Sequence, residues 1–114
     1  MAISTFKGRG DIEDIIKYLK EGIQNSGISC ELVHSVTRDT NGSKTYLLVF
    51  EKWYYRTSSR ASLTVMVTEN DETIYVDAIS AGGGQGLIFR FSWGAEENFV
   101  GVVRNLLQSK GFRE

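Results

Sequence analysis

Proline is absent from the 114 residues, and cysteine and histidine occur once each. A lone cysteine, Cys30, closes no intramolecular disulfide, so a reducing, cytoplasmic compartment is expected. One cysteine and one histidine also fall short of the three or four ligands that a zinc site needs. An excess of one charge sign is lacking too, because 13 basic and 14 acidic residues leave a net charge of −1. No long-range field then recruits nucleic acid or an anionic membrane. Long hydrophobic runs are missing, and no window approaches the ~18 unbroken apolar residues of a membrane helix. The opening MAISTFKGRGD has no basic flank leading into an apolar run, as a secretory signal would have. What remains is 41% hydrophobic and 24% charged, the balance of an ordinary soluble globular domain. The length suits one domain over residues 1–114.

The apolar spacing supplies the elements. Residues 2–7 alternate Ile3 and Thr5 against Ser4 and Phe6, which suits a short edge strand. After Gly8 and Gly10, Asp11 is placed to cap a helix over 11–25, in which Ile12, Ile15, Ile16, Leu19 and Ile23 form one stripe. Gly27 then serves as a left-handed stop. Period two follows near 28–37, with Cys30, Leu32, His34 and Val36 on one face. Asn41-Gly42 is a hairpin signal. From Lys44 to Tyr55 both faces are apolar: Tyr46, Leu48, Phe50 and Tyr54 against Leu47, Val49, Trp53 and Tyr55. A strand of that kind lies mid-sheet or carries an interface. RTSSR and ENDE are turns around the alternating Ala61, Leu63, Val65 and Val67, and Ile74, Val76 and Ala78 mark a last long strand. Leu87, Phe89 and Phe91 alternate like a further short edge strand. Ala95, Phe99, Val102, Val103, Leu106 and Leu107 then make a second helical stripe, with Glu96 and Glu97 in its first turn and Gly111 at its end. The expected fold is α+β: an antiparallel meander of four main strands, short N-terminal and post-glycine edge strands, and both helices packed on one face.

The segment Gly82-Gly83-Gly84-Gln85-Gly86 invites a phosphate-loop reading and fails it. Counted from Gly82 or Gly84, the sixth position of G-x-G-x-x-G is Leu87 or Phe89, and no Gly-Lys-Ser/Thr occurs. The stretch from Leu87 to Trp93 would also hold the glycine amides away from a helix starting after Gly94. The segment reads first as a structural loop, with a ligand-contacting lid as the alternative. Cys30 and His34, four apart on a strand, stand ~13 Å apart, too far for a nucleophile and its base. Cys30 reads as a small core residue and His34 as a half-buried histidine with a local partner. ENDE lacks calcium-loop spacing. Asp77 interrupts an apolar strand and is expected on the outer face beside Tyr75. EKWYYRTSSR interleaves Lys52, Arg56 and Arg60 with Trp53, Tyr54 and Tyr55, a pattern that suits single-stranded nucleic acid. The slightly acidic chain favours a packed or oligomeric face instead. Arg90, among large apolar residues, needs a carboxylate or carbonyl partner, or else receives an acidic ligand.

The segment AGGGQGLIFRFSWGAEENFVGVVRNLL, following DIEDIIKYL and the strand meander, resembles a family of small uncharacterised bacterial proteins of about this length. The resemblance covers the whole chain. It implies a bacterial origin and brings no activity, cofactor or catalytic residue with it. By fold-level analogy, a sheet against a C-terminal helix also looks like a shortened helix-grip fold.

No nucleophile, base and orienting group assemble from the sequence, so no catalytic residue, cofactor or metal is assigned. The leading expectation is a non-enzymatic interaction module that self-associates, or meets a protein partner, through Tyr46, Phe50, Trp53, Tyr54 and Tyr55. The alternative is a pocket for a small apolar or acidic ligand between the sheet and the C-terminal helix. Gly82, Gly83, Gly84 and Gly86 would form its lid, with Arg90 and Trp93 at its mouth.

Overall fold

A computed structural model describes residues 1–27, 29–54, 59–82 and 88–114, the side chains of 54, 59 and 88–96 excepted. The order is β1 (Ala2–Gly8), α1 (Ile12–Gln24), β2 (Cys30–Thr40), β3 (Ser43–Tyr54), β4 (Ser59–Asn70), β5 (Thr73–Gly82) and α2 (Ile88–Gln108). The five strands form one antiparallel sheet in the order β1-β5-β4-β3-β2. The fold class is therefore α+β, with a meander from β2 to β5 and β1 added beside β5.

Helix α1 follows from its residues. The Asp11 carboxylate accepts the Asp14 N–H at 3.1 Å, and Ile12, Ile15, Ile16, Leu19 and Ile23 are all buried. Each such side chain contributes ~1.5–3 kcal/mol by leaving water, so the stripe fixes which way the helix faces. The helix closes at Asn25, with φ −86°. Gly27 is not in the left-handed region, which corrects its expected role. Space is what it supplies, since a Cβ there would lie 2.5 Å from Lys52 Cε.

Both helices cover the same sheet face, where Phe6, Leu48, Phe50, Leu63, Val65, Val67, Ile74, Val76 and Ala78 meet Leu19, Ile23, Phe99, Val103 and Leu107. The Tyr18 hydroxyl donates to the Leu106 carbonyl at 2.9 Å and ties α1 to α2. The β2–β3 hairpin turns on Asn41 (φ 51°) and Gly42 (φ 80°), as the Asn-Gly pair predicts.

Three further expectations are corrected. The post-glycine edge strand is not formed by the described residues: 88–91 are the first turn of α2, and Leu87 lies outside the described residues. Ile88, Phe91, Ala95 and Phe99 already repeat at three and four, and helical period prevails over the short alternation. Glu96 and Glu97 consequently lie well inside α2, whose first turn holds no acidic residue. Third, β2 carries a bulge between Leu32 and His34, where Val33 is the extra residue. The bulge reverses the alternation, so His34 pairs with Val49 on the uncovered face and is exposed, while Cys30 stays buried on the helix face.

The C-terminus returns to the sheet. Phe112 N–H bonds to the Leu107 carbonyl and Gly111 N–H to the Gln108 carbonyl, with Gly111 at φ 83°, a Schellman closure of α2. Phe112 is then buried, and Arg113 forms a two-bond backbone bridge with Lys7 on the outer edge of β1.

Candidate functional site

Strand β3 divides the expected interface residues between two faces. Tyr46, Leu48, Phe50 and Lys52 point toward the helices, and Leu47, Val49, Glu51 and Trp53 point away. Phe50 is fully buried in the core, so its placement on an open interface is corrected. Tyr46 is half-buried and donates its hydroxyl to the Glu13 carboxylate of α1, which also accepts Lys44 Nζ at 3.1 Å. The Tyr46 bond first, and Lys44 second, hold the Glu13 carboxyl below its ordinary range, and the same bond raises the Tyr46 phenol. Trp53 does lie on the uncovered face, with Arg60 5.9 Å above its ring. Its backbone is held by Ser29, whose hydroxyl donates to the Trp53 carbonyl at 2.8 Å and accepts its N–H at 3.2 Å. Tyr55 and the Tyr54 side chain lie outside the described residues.

The sheet face without helices is built from cross-strand rows. One row runs Ile3, Ile79, Thr64, Val49 and His34; its neighbour runs Thr5, Asp77, Met66, Leu47 and Val36. Ile3 is 61% exposed, Ile79 and Met66 38% and Tyr75 37%, and Leu47, Val49, Val36 and Trp53 are half-buried. Together they make a largely apolar band across all five strands, interrupted by Thr64 and Asp77. Asp77 lies on this face, as expected, and accepts the Thr5 hydroxyl at 2.8 Å.

The expected ligand residues fall largely outside the described ones. Gly82 ends β5 opposite Ala61, whereas Gly83, Gly84 and Gly86 are not described. Arg90 and Trp93 are backbone positions of α2 whose side chains are not described. Because α2 begins at Ile88, the distance argument against an anion loop there no longer applies; the failed glycine pattern still does.

Elsewhere the chemistry is separated. The Cys30 thiol is pushed up chiefly by burial, and the bulge sets it on the opposite face from His34. Lys52 is turned beneath the helices, with Nζ 3.3 Å from the Ser26 carbonyl and 5.7 Å from the Phe99 ring centre, opposite to Trp53. Among the described residues no three His, Cys, Asp or Glu side chains cluster as metal ligands, and no helix is long and apolar enough to cross a membrane.

An open groove of about 1020 Å³ lies where β1 meets the C-terminal tail, lined among others by Lys7, Arg9, Tyr75, Lys110, Arg113 and Glu114. The sequence reading missed it because Lys7 and Arg113 come from opposite ends of the chain. The available signal was Phe112, an apolar residue directly after the helix-closing Gly111, which marks a tail that folds back.

The model of a family described as "Family of unknown function (DUF6054)" matches residues 1–111. No curated protein matches the chain.

Proposed function

The chain belongs to this family of unknown function, and from its surface we propose that it is a non-enzymatic interaction module that pairs with a second copy of itself through the uncovered sheet face. The observation carrying this reading is the apolar band from Ile3 through Ile79, Met66, Leu47 and Val49 to Val36. A monomer gains nothing from presenting such a band to water, and contiguous apolar patches mark contact surfaces.

The edges of the sheet favour face over edge pairing. Edge strand β2 carries the Val33 bulge and exposed Glu31, Arg38 and Asp39, and edge strand β1 is bridged by Arg113. Bulges, charges and a covering segment are the devices that block strand addition. The net charge of −1 leaves little repulsion between copies. A reduced, buried Cys30 suits a cytoplasmic setting, and the family resemblance a bacterial one.

Sedimentation equilibrium of the wild type against Met66→Lys and Ile79→Lys tests the reading. Both side chains are partly exposed, so a lysine at either site leaves the fold intact. A concentration-dependent dimer is expected for the wild type, weakened at least tenfold in each variant. A wild type that stays monomeric at millimolar concentration sinks the proposal.

A further inference from the structure

The groove between β1 and the C-terminal tail has a charge arrangement that the fold alone does not explain. Lys7 and Arg113 face each other directly across a bridge closed by Lys7 N–H to Arg113 carbonyl at 2.7 Å and Arg113 N–H to Lys7 carbonyl at 2.9 Å. Directly paired residues of an antiparallel ladder project to the same side, and like charges so placed destabilise the pair. Arg9 and Lys110 line the same groove. Of these four cations, Lys110 stands 4.5 Å over the Tyr18 ring, and among the described residues Lys7, Arg9 and Arg113 make no ion pair. The one side-chain carboxylate in the lining, that of Glu114, is already taken. Arg104 holds it with Nε to Oε1 at 2.8 Å and Nη2 to Oε2 at 3.2 Å, and this pair keeps the Glu114 carboxyl low. Asp77, further along the face, is bonded to Thr5.

We propose that this groove binds the phosphate group of a phosphate-bearing ligand, held between Lys7 and Arg113 with Arg9 at its rim. Two adjacent cations call for an anion with more than one charge within a few ångströms. A phosphate monoester carries about −1.5 to −2 at pH 7 and three acceptor oxygens, whereas a carboxylate carries one charge. Arginine offers phosphate a two-pronged donor and lysine a point charge. Tyr75, which pairs with Lys7 on the far side of β1 from Arg113, supplies a ring beside the anion, and the groove has room for a group larger than phosphate. The groove shares Tyr75 with the apolar band, but Lys7, Arg9 and Arg113 lie past it at the end of the sheet, so anion binding and self-association are separately testable.

The test titrates the full chain with pyrophosphate, following amide chemical shifts, and in parallel measures sedimentation with vesicles containing phosphatidic acid. The two arms separate a free phosphate from a lipid headgroup. Saturable binding in either arm, with the largest shifts at Lys7, Gly8, Arg9, Gly111 and Arg113, is expected. Lys7→Gln and Arg113→Gln should each weaken it at least tenfold, and the exposed helix variant Lys17→Gln should not. Ligand-free melting curves provide a second readout, in which Lys7→Gln and Arg113→Gln melt no lower than wild type because a like-charge pair has been relieved. No saturable binding in either arm overturns the proposal, as does an equal loss in Lys17→Gln.

Discussion

The Phe112 ring occupies the place where a side chain on Gly8 would stand: a Cβ there would lie 2.5 Å from Phe112 Cγ and 2.6 Å from Cδ2. The approach is to the root of the ring, which cannot swing aside as a lysine tip can. Gly8→Ala should therefore displace Phe112, with the ~1–3 kcal/mol cost of an overpacked core. The tail following it should loosen as well. Chemical denaturation measures the first effect, and faster proteolytic trimming of residues 109–114 the second. A Gly8→Ala protein as stable and as resistant as wild type would show that the ring does not anchor the tail.

The bond between Tyr46 and Glu13 makes a pH prediction with a definite sign. The folded Glu13 carboxyl is held below its ordinary value of 4.5, so the unfolded chain takes up this proton first as pH falls. The contribution is thus fully present above about 4.5 and declines below it, until pH drops under the folded value. The difference in urea midpoint between wild type and Glu13→Gln should be constant near neutrality and shrink in acid. Comparing the two proteins cancels the carboxylates they share. A difference that does not change from about pH 6 to about pH 3 contradicts the bond.

Gly27 and Lys52 are coupled by contact. A methyl at Gly27 would lie 2.5 Å from Lys52 Cε and 2.9 Å from Nζ, pushing the ammonium off the Ser26 carbonyl and the Phe99 ring. Because only the flexible end of lysine has to move, the cost of Gly27→Ala is set at about 1 kcal/mol by the displaced hydrogen bond. In a Lys52→Ala background that cost should vanish. A double-mutant cycle by denaturant unfolding reads the coupling, and additive effects would break the link.

Where period and residue type agree, the fold was legible. The stripe from Ile12 to Ile23, the Asp11 cap, the Asn41-Gly42 turn and the alternation of β4 and β5 each state one structure in one way. Three other places were ambiguous for physical reasons. Leu87, Phe89 and Phe91 fit a strand until Phe99 and Val103 extend the longer period that α2 follows. Gly27 is required by the Lys52 side chain packed against it, which no local pattern reveals. Tyr46 and Phe50 look like an interface in a strand apolar on both sides, and only the helices decide which side is covered. The groove was invisible because it brings Lys7 and Arg113 together from distant positions.

The Val33 bulge yields the sharpest register test. Leu32 pairs with Phe50 and His34 with Val49, neighbours on β3, so Val33 has no partner of its own. Removing Val33 would leave every other pair in β2 as it is, with His34 still opposite Val49 and Ser35 still opposite Leu48. Removing Val36 instead slips one flank of β2 by a residue, and a one-residue slip moves side chains to the other face. The Val33 deletion should therefore fold with a stability within ~1 kcal/mol of wild type, since its side chain is 52% exposed and buries little apolar area. The Val36 deletion should lose substantially more. The protective bend on this edge would also disappear in the Val33 deletion, so strand addition at β2 should increase. Denaturant midpoints rank the two deletions, and thioflavin-type assays report the edge pairing. If deleting Val33 unfolds the protein, the bulge is holding β2 in register rather than merely bending its edge.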